Sequence, residues 1–343
     1  MPLGSPARFT PDHFLADIVP PVVVSRRAET ALIFGCELWA GGPLIDKSCA
    51  VRVPEPRLLS TTMASWGPRT TWAAVAVTGA WSIGNALDGR SSAVRATVVV
   101  GAWLLWGIGV VALAVPSRLG LTVLRMIIAL ACGISVVSWI GGASPTSGAI
   151  FVACALLCAL LIGGADFGHR CVQASAYGDE HRFLLRPPAA FIPPVALAGL
   201  VWVAVVLAAP LLLASGRWVL GGIAAAVAAL FTWLLLPRFN ALSGRWLVLV
   251  PAGFVLHDQV VLAETLMVPQ ADIEAVELAL TGTEAVDLTG PASGHAIEIG
   301  MRSMVTAVLA PTKDAPRGTA LHVRSFIVAP TRPGMVLRAA RRA

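Results

Sequence analysis

The sequence predicts a membrane all-α bundle of about six transmembrane helices followed by a small soluble β domain. Three observations carry that reading. Between Thr71 and Pro237 the chain returns six times to long, nearly uncharged apolar runs separated by short polar breaks. Charged residues make up 13% of the chain and apolar ones 57%, against soluble averages of about 25% and about 45–50%. After Pro237 the pattern changes to short extended stretches punctuated by Gly and Pro turns.

Residues 1–70 are Pro-rich, carry mixed charge and lack sustained periodicity, so they read as disordered or loosely attached. The one candidate leader stretch, Phe14–Val24, contains Asp17, Pro20 and Pro21 and does not read as a signal peptide. Met63 runs directly into the first apolar span and is a candidate true start, with residues 1–62 then untranslated.

The spans are 71–87, 96–115, 121–140, 147–164, 191–215 and 218–236, each about long enough to cross roughly 30 Å of hydrocarbon as a helix. A globular helix needs a polar face for water, and stretches such as Gly101–Val115 and Leu197–Ala214 have none. With the N-terminus placed in the cytoplasm, 22 basic residues fall inside and 3 outside, namely Arg90, Arg95 and Arg217. By the positive-inside rule both termini are therefore cytoplasmic. Trp72, Trp103, Trp139, Trp218 and Trp233 sit near span ends, as interfacial belts require. Gly101, Gly107 and Gly109, then Ala129, Ala131 and Gly133, then Gly221, Gly222 and Ala224–Ala226 mark expected helix–helix contacts. Arg125 is expected to snorkel to the interface. Asn85, Ser135 and Ser138 are expected to bond neighbouring helices.

From 238 to 343 the chain reads as about seven strands and a closing helix. Arg245–Val250 and Phe254–His257 flank the turn Pro251-Ala252-Gly253 as a hairpin. Val260–Val268 and Ile273–Leu280 follow, and His295–Arg302 alternates as a half-buried strand. Val305–Leu309 and Leu321–Val328 flank a turn at Asp314–Gly318, and Pro333–Arg342 is helical. His257-Asp258, at a strand end, offers a candidate site pair, with surface polarity at a turn as the competing and more common reading.

The run Trp246-Leu-Val-Leu-Val-Pro-Ala-Gly-Phe-Val-Leu, followed by Val268-Pro-Gln-Ala-Asp-Ile-Glu-Ala-Val, resembles the opening of a bacterial pleckstrin-homology-like (PH-like) domain. That resemblance implies a bent seven-stranded sandwich closed by a C-terminal helix. Tyr177-Gly-Asp-Glu-His-Arg-Phe-Leu-Leu-Arg-Pro-Pro and Pro330-Thr-Arg-Pro-Gly-Met-Val-Leu are similar to segments of uncharacterised actinobacterial multi-pass membrane proteins. This implies a location in the bacterial plasma membrane and no particular activity.

The densest polar cluster is the 165–190 loop, with Asp166, His169, Arg170, Tyr177, Asp179, Glu180, His181, Arg182 and Arg186 as candidate functional residues. Asp166 and His169 have the spacing of a proton-transfer pair or of two metal ligands on a helix. The competing reading is a solvated loop whose arginines hold it at anionic headgroups. The six cysteines form no CxxC pair, and no phosphate loop, GxSxG or HExxH motif is present, so no cofactor or metal is expected. Basic residues are not interleaved with aromatics, which argues against nucleic acid. The leading expectation is a non-enzymatic plasma-membrane protein whose cytoplasmic β domain binds a protein or a lipid headgroup. A transporter or channel, including an oligomeric pore, is the first alternative, and a membrane enzyme using the 165–190 loop the second.

Overall fold

A computed structural model of the chain describes residues 61–311, 315–316 and 318–342. The expectations for residues 1–60, and the question of where translation begins, lie outside the described residues.

Helices α1 (Thr61–Ala86), α2 (Ser92–Ala114), α3 (Arg118–Ile140) and α4 (Pro145–Gly163) follow one another through short turns. The starts of α2, α3 and α4 share one device. Ser91, Ser117 and Ser144 stand just before the first helical residue and each hydroxyl accepts a backbone N–H of the first turn, which satisfies a donor the helix cannot use internally. After a short α5 (Ala165–Gln173) and strand β1 (His181–Leu184), α6 (Ile192–Ala214) and α7 (Trp218–Ser243) form a second helical hairpin.

Among the described residues, five helices are long and apolar enough to cross a membrane: α2, α3, α4, α6 with the turn before it (Ala189–Ala214), and α7. The count is five rather than the six expected. The shortfall is α1, which has the length but not the apolarity. It carries Pro68 and Arg69 in its first third, and Thr70, Thr71, Thr78, Ser82 and Asn85 further on. Several of these polar groups serve packing. Ser82 shares a buried 2.8 Å hydrogen bond with Ser138 of α3, and the Asn85 amide donates to Ser147 of α4 at 3.2 Å. The ten residues from Thr61 to Thr70, read from sequence as loosely structured, are the first turns of α1.

Small residues mark some of the helix contacts. A Cβ on Gly109 would fall 2.4 Å from the Trp72 ring, and one on Gly133 would fall 2.5 Å from Val203 of α6. Gly101, Gly107 and Gly222 face open space instead. Trp72 and Trp106 lock α1 to α2 reciprocally, each indole N–H donating to the other residue's carbonyl, at 3.1 and 3.3 Å. The α6–α7 hairpin joins the other helices where Trp202 packs on Met126 and Leu130 of α3.

The β region is two four-stranded sheets. The first runs β1-β2-β3-β4, all antiparallel, with β2 Trp246–Val250, β3 Gly253–His257 and β4 Leu266–Pro269. The second runs β5-β7-β8-β6, with β5 Ile273–Leu278, β6 Val286–Asp287, β7 Ile297–Leu309 and β8 Thr319–Val328. Leu247, Leu249, Phe254 and Leu256 of the first sheet share one core with Ile297, Ile299, Val323 and Phe326 of the second. Helix α8 (Pro333–Ala340) closes it with the fully buried Val336. The tight β2–β3 turn requires Gly253, whose φ of 140° and lack of a Cβ let the Val268 carbonyl approach.

Two features depart from the expected layout. The first sheet draws β1 from between α4 and α6, far outside 238–343. The two stretches expected as separate strands at 295–302 and 305–309 are one strand, β7, with an irregular register against β8 between Gly300 and Val305.

Candidate functional site

The 165–190 segment is a structured hub where the helices meet the sheets. Leu184, Leu185 and Arg186 are stitched to both sides. The Leu185 N–H donates to the Arg245 carbonyl, the Arg186 N–H to the Ala329 carbonyl, and the Thr331 N–H to the Leu184 carbonyl, all at 2.8–3.0 Å. Gln173, at the end of α5, closes the intervening loop like an extra strand. Its amide donates to the Glu180 carbonyl and its carbonyl oxygen accepts the Arg182 N–H, both at 2.8 Å.

The candidate residues disperse over three surfaces. His169, Asp179, His181 and Gln173 line a groove of about 650 Å³. Phe183, Leu249, Val250 and Pro251 also line it, and Met335, Arg338, Ala339 and Arg342 come from α8 and the residues just after it. The groove therefore combines apolar lining with two arginines, two histidines and one carboxylate. His169 stacks on Phe183, ring centroids 5.8 Å apart and 18° from parallel. Burial pushes its imidazole pKa down, Asp166 pulls it back up, and Arg332 and His181 add to the lowering.

Arg182 belongs to a second surface, the opposite face of β1. Its Nε and Nη2 both donate to Glu180 Oε2, at 3.0 and 2.8 Å. That contact, with the Tyr177 N–H, holds the Glu180 carboxyl below its ordinary pKa. Arg186, Asp166 and Tyr177 are apart from both. Arg186 reaches the His295 carbonyl, and burial lowers its pKa. Asp166 forms an ion pair with Arg332 at 2.5 Å, which ties α5 to the start of α8. Tyr177 is 87% exposed. Arg170 lies on α5 between these groups.

Asp166 and His169 share α5 at the spacing noted from sequence, with the carboxylate in its ion pair with Arg332 and near enough to His169 to raise its pKa. Among the described residues no three His, Cys, Asp or Glu side chains converge as a metal site requires. Cys171 is buried, and burial pushes its thiol up to about 11 against an opposing pull from Arg125, so it is a poor nucleophile. Arg125 donates to Ser243 at the end of α7 at 3.2 Å and lies close to Gly168 of α5.

Sequence reading set Asp258 beside His257, whereas its partner is Arg245. Far from surface polarity, both side chains are completely buried and form a forked contact of 2.7–2.9 Å. Arg245 also donates to the carbonyls of Arg186 and Thr289, and Asp258 accepts the Val260 and Val261 N–H groups. An Arg one residue before a strand and an Asp one residue after its partner strand was the available signal.

No family model, curated protein or solved structure matches this chain.

Proposed function

We propose that this chain is a non-enzymatic integral protein of the bacterial plasma membrane whose β region, together with α5 and β1, is a cytoplasmic binding module for a partner carrying acidic groups. The observation that carries this reading is the groove between α5, the first sheet and α8. It offers apolar surface for contact and the guanidinium groups of Arg338 and Arg342 for charge, with the His169 and His181 rings beside them and Asp179 as the one carboxylate in its lining.

The side assignment rests on arginine placement. Arg118, Arg125, Arg170, Arg182, Arg186, Arg238 and Arg245 lie at the bundle end that carries the sheets, and at the other end lie Arg90 and Arg217 in the connections and Arg95 in the first turn of α2. That asymmetry favours a cytoplasmic β region whether or not α1 crosses the membrane, because the five membrane-length helices α2, α3, α4, α6 and α7 fix it. Two packed sheets closed by a C-terminal helix are also the layout that the PH-like resemblance implies. A binding role is favoured over transport because the polar groups shared by α1, α3 and α4 (Ser82, Asn85, Ser138, Ser147) are spent on one another.

The test uses the full chain in lipid nanodiscs and a panel of acidic, neutral and basic peptides. Acidic peptides should bind, and R338E/R342E should weaken binding at least about tenfold, as reversal of two contacting charges implies. Equal binding of all three classes, or an unchanged double variant, overturns the reading.

A further inference from the structure

We propose that the bundle-facing surface of the first sheet is a seat for the headgroup phosphate of an anionic phospholipid in the adjoining leaflet. Strand register defines this surface. Arg182 pairs with Val248, Leu184 with Trp246, and Trp246 with His257, so these side chains share one face, opposite the face that builds the sandwich core. Leu184 turns that face onto the bundle, since a Cβ on Gly168 of α5 would stand 2.8 Å from it.

Trp246 is the centre of the seat. The Arg118 guanidinium lies over its ring at 5.3 Å and that of Arg182 at 5.7 Å, while His257 stacks on it at 5.1 Å, 23° from parallel. Arg118 donates through Nε and Nη2 to the Asn240 carbonyl, and Arg182 through the same two atoms to Glu180. The Nη1 group of each thus has no hydrogen bond among the described residues. Glu180 is the one carboxylate engaged here, because neighbouring Asp258 is committed to Arg245. Positive charge is in excess, and guanidinium groups held over an aromatic ring are placed to grip phosphate oxygens.

Depth and surroundings choose a lipid over a free anion. Arg118 is the first residue of membrane-length α3, and Asn240 lies in the last turn of α7, which sets the cluster at the rim of the hydrocarbon, where headgroup phosphates lie. Val255 and its partner Met267 continue the same face, and Met267 is 61% exposed. Free phosphate has no use for these apolar side chains, whereas a lipid's glycerol and upper acyl carbons do.

This inference rests on the membrane placement proposed above, and the experiment separates the two. The full chain is extracted from membranes, delipidated in detergent and titrated with phosphatidylglycerol, with phosphatidylcholine of the same acyl chains, and with inorganic phosphate. Release of the chain from membranes without detergent would remove the membrane placement itself. If detergent is required, phosphatidylglycerol should bind at least about tenfold tighter than phosphatidylcholine, the size of one charge-assisted hydrogen bond. Arg182→Gln should abolish that preference, Arg182→Lys should keep part of it, and Arg338→Gln in the groove should leave it intact. His257→Gln gives a second reading should Arg182→Gln fail to fold. Equal affinity for the two lipids, an unchanged preference in a folded Arg182→Gln or His257→Gln protein, or displacement of phosphatidylglycerol by millimolar inorganic phosphate overturns the proposal.

Discussion

Arg245 and Asp258 are the residues whose removal should cost this protein most. Every polar atom of the pair that the fold buries has a partner: the two charges meet at 2.7–2.9 Å and the surplus donors and acceptors are met by backbone. Two buried charges in that state gain little over an apolar pair, but one without the other is an uncompensated charge in a dry interior. Asp258→Asn should therefore destabilise the β region by about 3–5 kcal/mol, and the double change Arg245→Met with Asp258→Leu by clearly less. Chemical unfolding of the purified chain, followed by fluorescence, compares the two; a double variant weaker than the single contradicts the argument. His169 gives the second prediction at this scale. Burial lowers its pKa below the ordinary imidazole value of 6.5, so the unfolded chain binds the proton more readily than the fold does. Stability is then fully present above that ordinary value and is lost as pH falls through it toward the lower folded pKa. His257 is lowered as well, first by burial and then by Arg118, and adds to the same slope. His169→Phe, which keeps the stack on Phe183, should flatten part of the loss in unfolding midpoint between about pH 8 and about pH 5, leaving the His257 share.

At the level of elements, β1 decides what counts as a domain. It is four residues long, yet it pairs with β2 along its whole length, and its Phe183 lies in the shared core. A fragment starting at residue 238 therefore leaves the β2 edge unpaired and part of the core open, the condition in which sheets associate with one another. The prediction is that 238–343 alone aggregates or stays unfolded, and that a peptide spanning 179–188 added during refolding restores a soluble, cooperatively unfolding species. Light scattering and circular dichroism read both outcomes, and a stable monomeric 238–343 fragment would show β1 to be dispensable. The same strand marks the limit of what the sequence made legible. The long apolar helices and the alternating strands were visible because burial on one face or on all faces writes a period into the residues. His181-Arg-Phe-Leu has no such length, and its partner Trp246–Val250 lies more than sixty residues away. Only register could reveal that Arg182 and His181 point to opposite surfaces. Helix α1 failed for a complementary reason: its hydroxyls and amide make contacts between helices and so dilute the apolar count. The Arg245–Asp258 contact was latent in the hairpin the sequence does show, and was missed because Asp258 was read with its neighbour His257 and not across the turn.

For the whole molecule the decisive question is which side of the membrane the sheets occupy. The helices bury little of their outward surface: Val99, Trp103, Leu104, Leu200, Ile223 and Trp233 are all exposed, as lipid-facing residues of α2, α6 and α7 would be. One end of the bundle is joined to the sheets by several independent ties, among them the Arg118 guanidinium over the Trp246 ring, the Asp166–Arg332 ion pair and the pairing of β1 with β2. The sheets and that end of the bundle therefore face the same compartment, and a single exposed reporter assigns both. Tyr177 is suited to this, being exposed and held only through its backbone N–H to Glu180. In a background lacking Cys36 and Cys49, Tyr177→Cys should react with a membrane-impermeant maleimide in inverted vesicles and stay unlabelled in intact cells. Cys171 should contribute little background, because its thiol is buried with a pKa of about 11. Arg217→Cys, in the short α6–α7 connection at the opposite end, should show the reverse pattern. Labelling of Tyr177→Cys from outside intact cells would place the groove and the phosphate seat on the wrong face of the membrane, since the arginine asymmetry that orients the chain would then run against the positive-inside rule.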